Sequence, residues 1–178
     1  VYAGAADKSS PIGNAGLDLK TSITDEVQLV GTINPDFRNI ENAILNLDFS
    51  RFARLADESR PFFQEGAQYM NSGLYNSQLI NRFDVGVNTY VKINDKTQFG
   101  FIETNDIGHQ NDIAFNSSYN PTVNDSYRVT LTQRTQPGLE NNAYLARYSK
   151  QLGIWNIFLR DMGSQDTLLG WGEDTSAT

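Results

Sequence analysis

The sequence predicts an all-β protein: an antiparallel up-and-down sheet of about eight strands, a barrel or part of a barrel, with one long non-strand insertion. Three observations carry this. The stretch from Arg82 to Ile93 alternates strictly, with Phe83, Val85, Val87, Val91 and Ile93 on one face and Asp84, Gly86, Asn88 and Lys92 on the other. Short turn signals recur through the second half, so consecutive strands join as hairpins. Between two alternating regions lies a block, Asn34 to Gly66, that does not alternate. The chain reads as one β domain over residues 1–178, with 34–66 inserted as a plug-like segment.

Taken in order, Val1 to Asn14 is small, polar and Gly/Pro-containing and reads as a loop. Leu17, Leu19, Thr21 and Ile23 alternate, Thr24-Asp25 turns, and Val27, Leu29, Gly31 and Ile33 alternate again as the second arm of a hairpin. Within the inserted block, Glu41 to Arg54 mixes spacings of three and four, which suits a short helix or irregular chain. After the Arg82–Ile93 strand, Asn94-Asp95 turns into Thr97–Glu103, where Phe99 and Phe101 share a face. Thr104–Asp112 is rich in Asn and Asp and reads as a loop. Ile113, Phe115 and Tyr119 mark the next strand, Asn120-Pro121 a turn, and Tyr127, Val129 and Leu131 the strand after it. Gln136-Pro137-Gly138 turns the chain into the Tyr144–Tyr148 strand, and Leu152-Gly153 turns it into Trp155–Leu159. The Gly-rich acidic tail holds Leu168, Leu169 and Trp171, enough for one more short strand.

Lys plus Arg number 14 and Asp plus Glu 21, giving 14 − 21 = −7, which argues against binding a nucleic-acid backbone. No cysteine is present, so disulfides, thiolate metal sites and cysteine nucleophiles are excluded. No apolar run approaches the ~20 residues of a spanning helix, and the start lacks a signal-peptide pattern. A membrane barrel stays allowed, because its strands need only ~9–11 alternating residues.

Catalytic chemistry finds little support, and no enzyme activity is expected. His109 is the only histidine. Ser117, His109 and Asp112 compose a triad on paper, without the nucleophile-elbow context that would position the serine. Asp106 and Asp112, in the Asn105-Asp106…Asn111-Asp112 stretch, are candidate oxygen ligands for calcium. They lack EF-hand spacing, and Asn and Asp form turns equally well. Glu103, Asp106 and Asp112 taken as a glycosidase carboxylate pair meet the same objection. No glycine-rich phosphate cradle precedes a helix, and no cofactor is expected.

Aromatic residues carry more information. Tyr90, Tyr119, Tyr127, Tyr144, Tyr148, Trp155 and Trp171 fall near strand ends. Such rings serve as girdles in a membrane barrel, as a stacking platform for sugars, or as ordinary packing. Tyr144, Tyr148, Trp155 and Trp171 are the candidate ligand-binding set. In the inserted block, Pro35, Phe37, Arg60, Pro61, Phe62 and Phe63 are expected to anchor the segment on the sheet. Pro61 restricts Arg60 to extended backbone and so aims the two rings that follow.

The block also carries a resemblance. Gly16-Leu-Asp-Leu-Lys20, then Thr32-Ile-Asn-Pro-Asp-Phe37, an acidic residue soon after, Asn46-Leu47 and a charged run into Arg60-Pro-Phe-Phe-Gln-Glu-Gly66 resemble the DUF5916 group of bacterial surface proteins. That resemblance implies an outer-membrane-type β-barrel region, preceded in the family by a carbohydrate-binding-module-9-like domain. It implies location and architecture and no reaction. The family's Ser-Arg-Arg-Ile-Gly-like stretch is replaced here by LYNSQLINRF, Leu74 to Phe83, so no role of its paired arginines carries over. Members are much longer, which suggests a segment or a short relative. The expected setting is the bacterial envelope, outer membrane or cell surface, as a structural or transport-type protein. Its partners would be outer-membrane lipid or a larger envelope assembly; one alternative reading is an accessory subunit of a larger membrane assembly. A soluble β-sandwich that binds glycan is the alternative.

Overall fold

The computed structural model describes residues 2–4, 12–14, 16–35, 58, 60–80 and 82–178. Nine strands form one antiparallel sheet in which every strand pairs with its sequence neighbour: β3 (Leu17–Ser22), β4 (Val27–Ile33), β5 (Val85–Lys92), β6 (Thr97–Asp106), β7 (Gln110–Thr122), β8 (Asp125–Gln136), β9 (Leu139–Leu152), β10 (Trp155–Asp166) and β11 (Gly170–Ala177). The sheet is not closed, and β3 and β11 are its two edges. A separate two-stranded sheet pairs β1 (Tyr2–Gly4) with β2 (Ile12–Asn14). The fold is therefore all-β and up-and-down, with one insertion between β4 and β5.

Several boundaries differ from the sequence reading. The opening, read as a loop, contains β1 and β2. The Asn/Asp-rich connection shrinks to the turn at 107–109, because its polar residues find partners across the strands. Asn111 donates to Glu103 Oε1 at 3.1 Å, and Arg134 donates to Asp112 Oδ1 at 2.6 Å, so β6 and β7 extend past the expected break. Pro121 lies inside β7, where a register shift between Tyr119 and Thr122 accommodates its missing N–H. The tail makes a full edge strand. The expected helix over Glu41–Arg54 and the anchor Phe37 lie outside the described residues.

From Arg60 the insertion lies across one face of the sheet. Helix α1 (Pro61–Gln64) is a single turn, with proline at its first position, where a missing N–H costs nothing. Two 3₁₀ turns follow, Ala67–Tyr69 and Ser77–Leu79. The buried apolar cluster sits between this segment and the sheet: Phe62, Phe63, Met70 and Ile80 with Phe83 from the chain leading into β5, against Val30, Ile102 and Ala114. Phe62, Phe63 and Phe83 meet with ring centroids 5.0–5.6 Å apart.

Candidate functional site: a covered polar face and an open apolar face

Period-two alternation and the pairing register assign each strand residue to one of two faces. The face under the insertion holds Thr32, Gly86, Asn88, Gly100, Ile102, Thr104, Ala114, Asn116, Ser118, Thr130 and Leu145, all buried and many of them polar. The opposite face holds Leu17, Leu19, Ile33, Val85, Val87, Val129, Leu131, Ile157 and Leu159, all exposed. Neighbouring residues make the contrast plain. Val87 is 36% exposed and Asn88 1%; Leu131 is 48% exposed and Thr130 0%. The apolar side of this sheet faces out and the polar side is covered.

This corrects the reading of the Arg82–Ile93 strand. Alternation holds within β5, and Val85 and Val87 share the open face, but Phe83 does not join them. The backbone bends at Asp84, before the strand begins, and Phe83 enters the buried cluster. Asn88 faces away from the valines, as expected, and is buried beneath the insertion.

The polarity of the covered face has a cause in backbone chemistry. A loop laid on a sheet brings carbonyl groups that need donors once water is excluded. Asn88 Nδ2 donates to Phe62 O at 3.0 Å and to Glu65 O at 2.7 Å. Asn116 Nδ2 donates to Tyr69 O at 2.6 Å while its Oδ1 accepts from Thr130 Oγ1 at 2.9 Å. Arg128 Nη1 reaches Asn71 O at 3.1 Å, and Arg134 Nη2 reaches Leu79 O at 3.2 Å. Two glycines permit the close approach. A side chain at Gly86 would strike the Phe62 ring, and one at Gly100 would strike Met70 Sδ and the Tyr69 carbonyl.

Arg60 is the fastening of the insertion. Its Nε donates to Glu58 Oε1 at 2.8 Å and its Nη2 to Glu58 Oε2 at 2.7 Å and Ser77 O at 2.7 Å. Nη1 donates to the Ile80 carbonyl, and the guanidinium lies 4.1 Å from the centroid of the Phe63 ring. Burial pushes the Glu58 carboxyl up, but the hydrogen bonds from Arg60 and Ser77 and the guanidinium charge outweigh it and hold the group below its ordinary value. Burial, with smaller help from the Glu58 and Asp112 charges and against that of Arg60, raises the Tyr75 phenol well above its ordinary value. Of the expected anchors, Arg60, Phe62 and Phe63 are buried, Pro61 starts α1, and Pro35 is half-buried at the end of β4. Of the carboxylates near Arg60 in sequence, Glu58 pairs with it.

The candidate ligand-binding aromatics lie on the open face. Tyr144 and Trp171 stack with centroids 6.0 Å apart beside a shallow groove of about 380 Å³ that Phe115 and Leu131 also line. Tyr148 packs on Tyr127 at 4.8 Å, which packs on Tyr119 at 6.0 Å. Trp155 is exposed beside the β9–β10 turn. The candidate metal ligands do not converge: Asp112 is taken by Arg134 and by Gln110 at 2.5 Å. Among the described residues no group of three or more His, Asp or Glu could hold a metal. His109 is an exposed turn residue, and Ser117 lies on the open face. On the covered side, a second cavity of about 380 Å³ separates Leu74–Ile80 from β7–β9, with Tyr75, Asp112, Arg134 and Glu140 in its wall.

Sequence reasoning missed Asn88, Asn116, Arg128 and Arg134 as the residues that receive the insertion. Their signal was present as polar positions alternating with Val, Phe and Leu, but alternation does not say which face is covered.

A family model described as a domain of unknown function, DUF5916, matches residues 2–89, from β1 through the insertion into β5. No curated protein and no solved structure matches the chain.

Proposed function

We propose, from the DUF5916 signature over the amino-terminal half and the arrangement of the two faces, that this sheet is the wall of an outer-membrane-type β-barrel. In this reading it is a non-enzymatic structural or transport-type element of the bacterial cell envelope, its open face set in lipid and its insertion plugging the lumen. One observation carries the reading. Leu17, Leu19, Val85, Val87, Val129 and Leu131 form an exposed apolar face, while Asn88, Asn116 and Thr130 are buried behind it. A soluble sheet with one covered face buries its apolar side; a barrel in lipid turns that side outward. The stacked Tyr119, Tyr127 and Tyr148 suit the headgroup level. The free edges β3 and β11 would close on strands outside these nine, in a larger envelope assembly.

The test is detergent dependence. The purified chain should aggregate in plain buffer and become monodisperse in detergent or lipid vesicles. A chain that is monodisperse in plain buffer and ignores vesicles would defeat the reading. That result would favour the second one, a glycan-binding module, for which the Tyr144–Trp171 stack and its apolar groove supply the platform. Tryptophan fluorescence that shifts on titration with an oligosaccharide would then support it.

A further inference from the structure

The covered face carries one row of residues that the fastening of the insertion explains only in part, through the contact of Arg128 with Asn71. Ser118 on β7 pairs with Arg128 on β8, Arg128 with Arg147 on β9, and Arg147 with Arg160 on β10. Three guanidinium groups therefore stand directly opposite one another on adjacent strands. Like charges in that relation repel and destabilise a sheet unless something neutralises them. In a chain of net charge −7, such a concentration of cations is against the general balance.

The hydrogen-bond accounting points the same way. Among the described residues, Arg128 Nε, Arg147 Nε, Arg160 Nε and Ser118 Oγ are all buried without a partner. Ser118 itself is 2% exposed. Four unpartnered polar atoms in one row, three of them guanidinium N–H donors, define a place that wants acceptors. Only one carboxylate among the described residues pairs with this row, Asp174, whose Oδ2 accepts from Arg160 Nη2 at 2.5 Å. Three cations less one anion leave a local charge of 3 − 1 = +2. A phosphate monoester carries about −1.5 to −2 at neutral pH and offers three strong acceptor oxygens.

We propose that the row Ser118, Arg128, Arg147 and Arg160 is a binding site for a phosphate group on the covered face, next to Asn71–Gly73 of the insertion. Arg128 already contacts the Asn71 carbonyl, and the Arg147 guanidinium lies against Gly73, so the ligand would bridge wall and plug. Guanidinium forks match phosphate oxygens two at a time, which a lysine in the same position cannot reproduce. In the barrel-wall reading this face is the lumen, and the site gives that lumen a substrate class: small phosphorylated solutes. The inference rests on that reading only for the word lumen; the row itself is fixed by strand register.

The test is calorimetric titration of the full chain in detergent with pyrophosphate and with inorganic phosphate. Saturable binding that weakens as salt rises is expected. Arg147→Gln should lower the affinity at least about tenfold, and Arg147→Lys should lower it by less, since charge without the fork is retained. Arg82→Gln, outside the row and exposed beside Asp84, should leave it unchanged. Far-UV circular dichroism confirms the sheet in each variant, and should Arg147→Gln fail to fold, Arg160→Gln takes its place. No saturable binding, or binding that the row variants leave intact, overturns the proposal. The barrel-wall reading fails separately, through solubility in plain buffer, whatever phosphate does.

Discussion

A single arginine decides how the insertion is held. Arg60 makes two contacts to one carboxylate and two to backbone carbonyls of Ser77 and Ile80, closing residues 58–80 on themselves above the Phe63 ring. Burying an ion pair costs desolvation, and the pair repays it only when its remaining hydrogen-bonding capacity is filled. Here Ser77 Oγ donates to Glu58 Oε2 at 2.6 Å and the Arg60 N–H donates to Oε1 at 3.0 Å, so the carboxylate is well supplied. Its folded acidity is therefore stronger than in the unfolded chain. Stability from a depressed carboxylate is present above the unfolded value and is lost as pH falls through the folded one. Thermal melts between pH 6 and pH 3 should show wild type losing stability on the acid side of about 4.3, the ordinary glutamate value. Glu58→Gln, less stable at neutral pH, should lose less over that range. Parallel acid profiles for the two proteins would remove Glu58 from the account. The anchor residues were legible in sequence because Pro61 and two adjacent rings constrain one another locally. The choice of Glu58 over Asp57 and Glu65 was not, since it depends on where the chain returns at Ser77.

At the scale of elements, the insertion docks through α1 and the chain entering β5. Phe62, Phe63 and Phe83 form the contact, with Gly86 leaving room beneath the Phe62 ring. Truncating a buried phenylalanine to alanine costs about 3–5 kcal/mol. Phe62→Ala with Phe63→Ala should therefore lower the unfolding midpoint markedly, or free the insertion for limited proteolysis between residues 60 and 80 while the sheet persists. Unchanged stability together with unchanged protease resistance would show that the rings do not anchor it. Strand existence was readable from alternation, and the hairpin turns at Gln136-Pro137-Gly138 and Leu152-Gly153 fall where glycine and proline placed them. Boundaries failed where Asn and Asp could be strand as readily as turn. Asn105 and Asn111 pair across β6 and β7, which only the partner strand reveals.

For the whole molecule, the sequence gives two faces but not their surroundings. The same alternation of Val85 and Val87 with Gly86 and Asn88 suits a soluble core or a lipid-facing wall. The insertion decides which face is covered, the polar one, because its backbone carbonyls require the donors that Asn88, Asn116, Arg128 and Arg134 supply. That long-range choice leaves no local trace in the strands. The central claim, that the apolar face meets lipid, has a direct test. The chain has no cysteine, so single cysteines can be placed from position 127 to 132 on β8, nitroxide-labelled, and read in lipid vesicles by collision with oxygen and with a water-soluble nickel chelate. The account predicts a period of two: labels at 129 and 131 meet oxygen and exclude nickel, while 130 and 132 are shielded from both. Labels at 129 and 131 that meet nickel freely, or a profile without alternation, would contradict it.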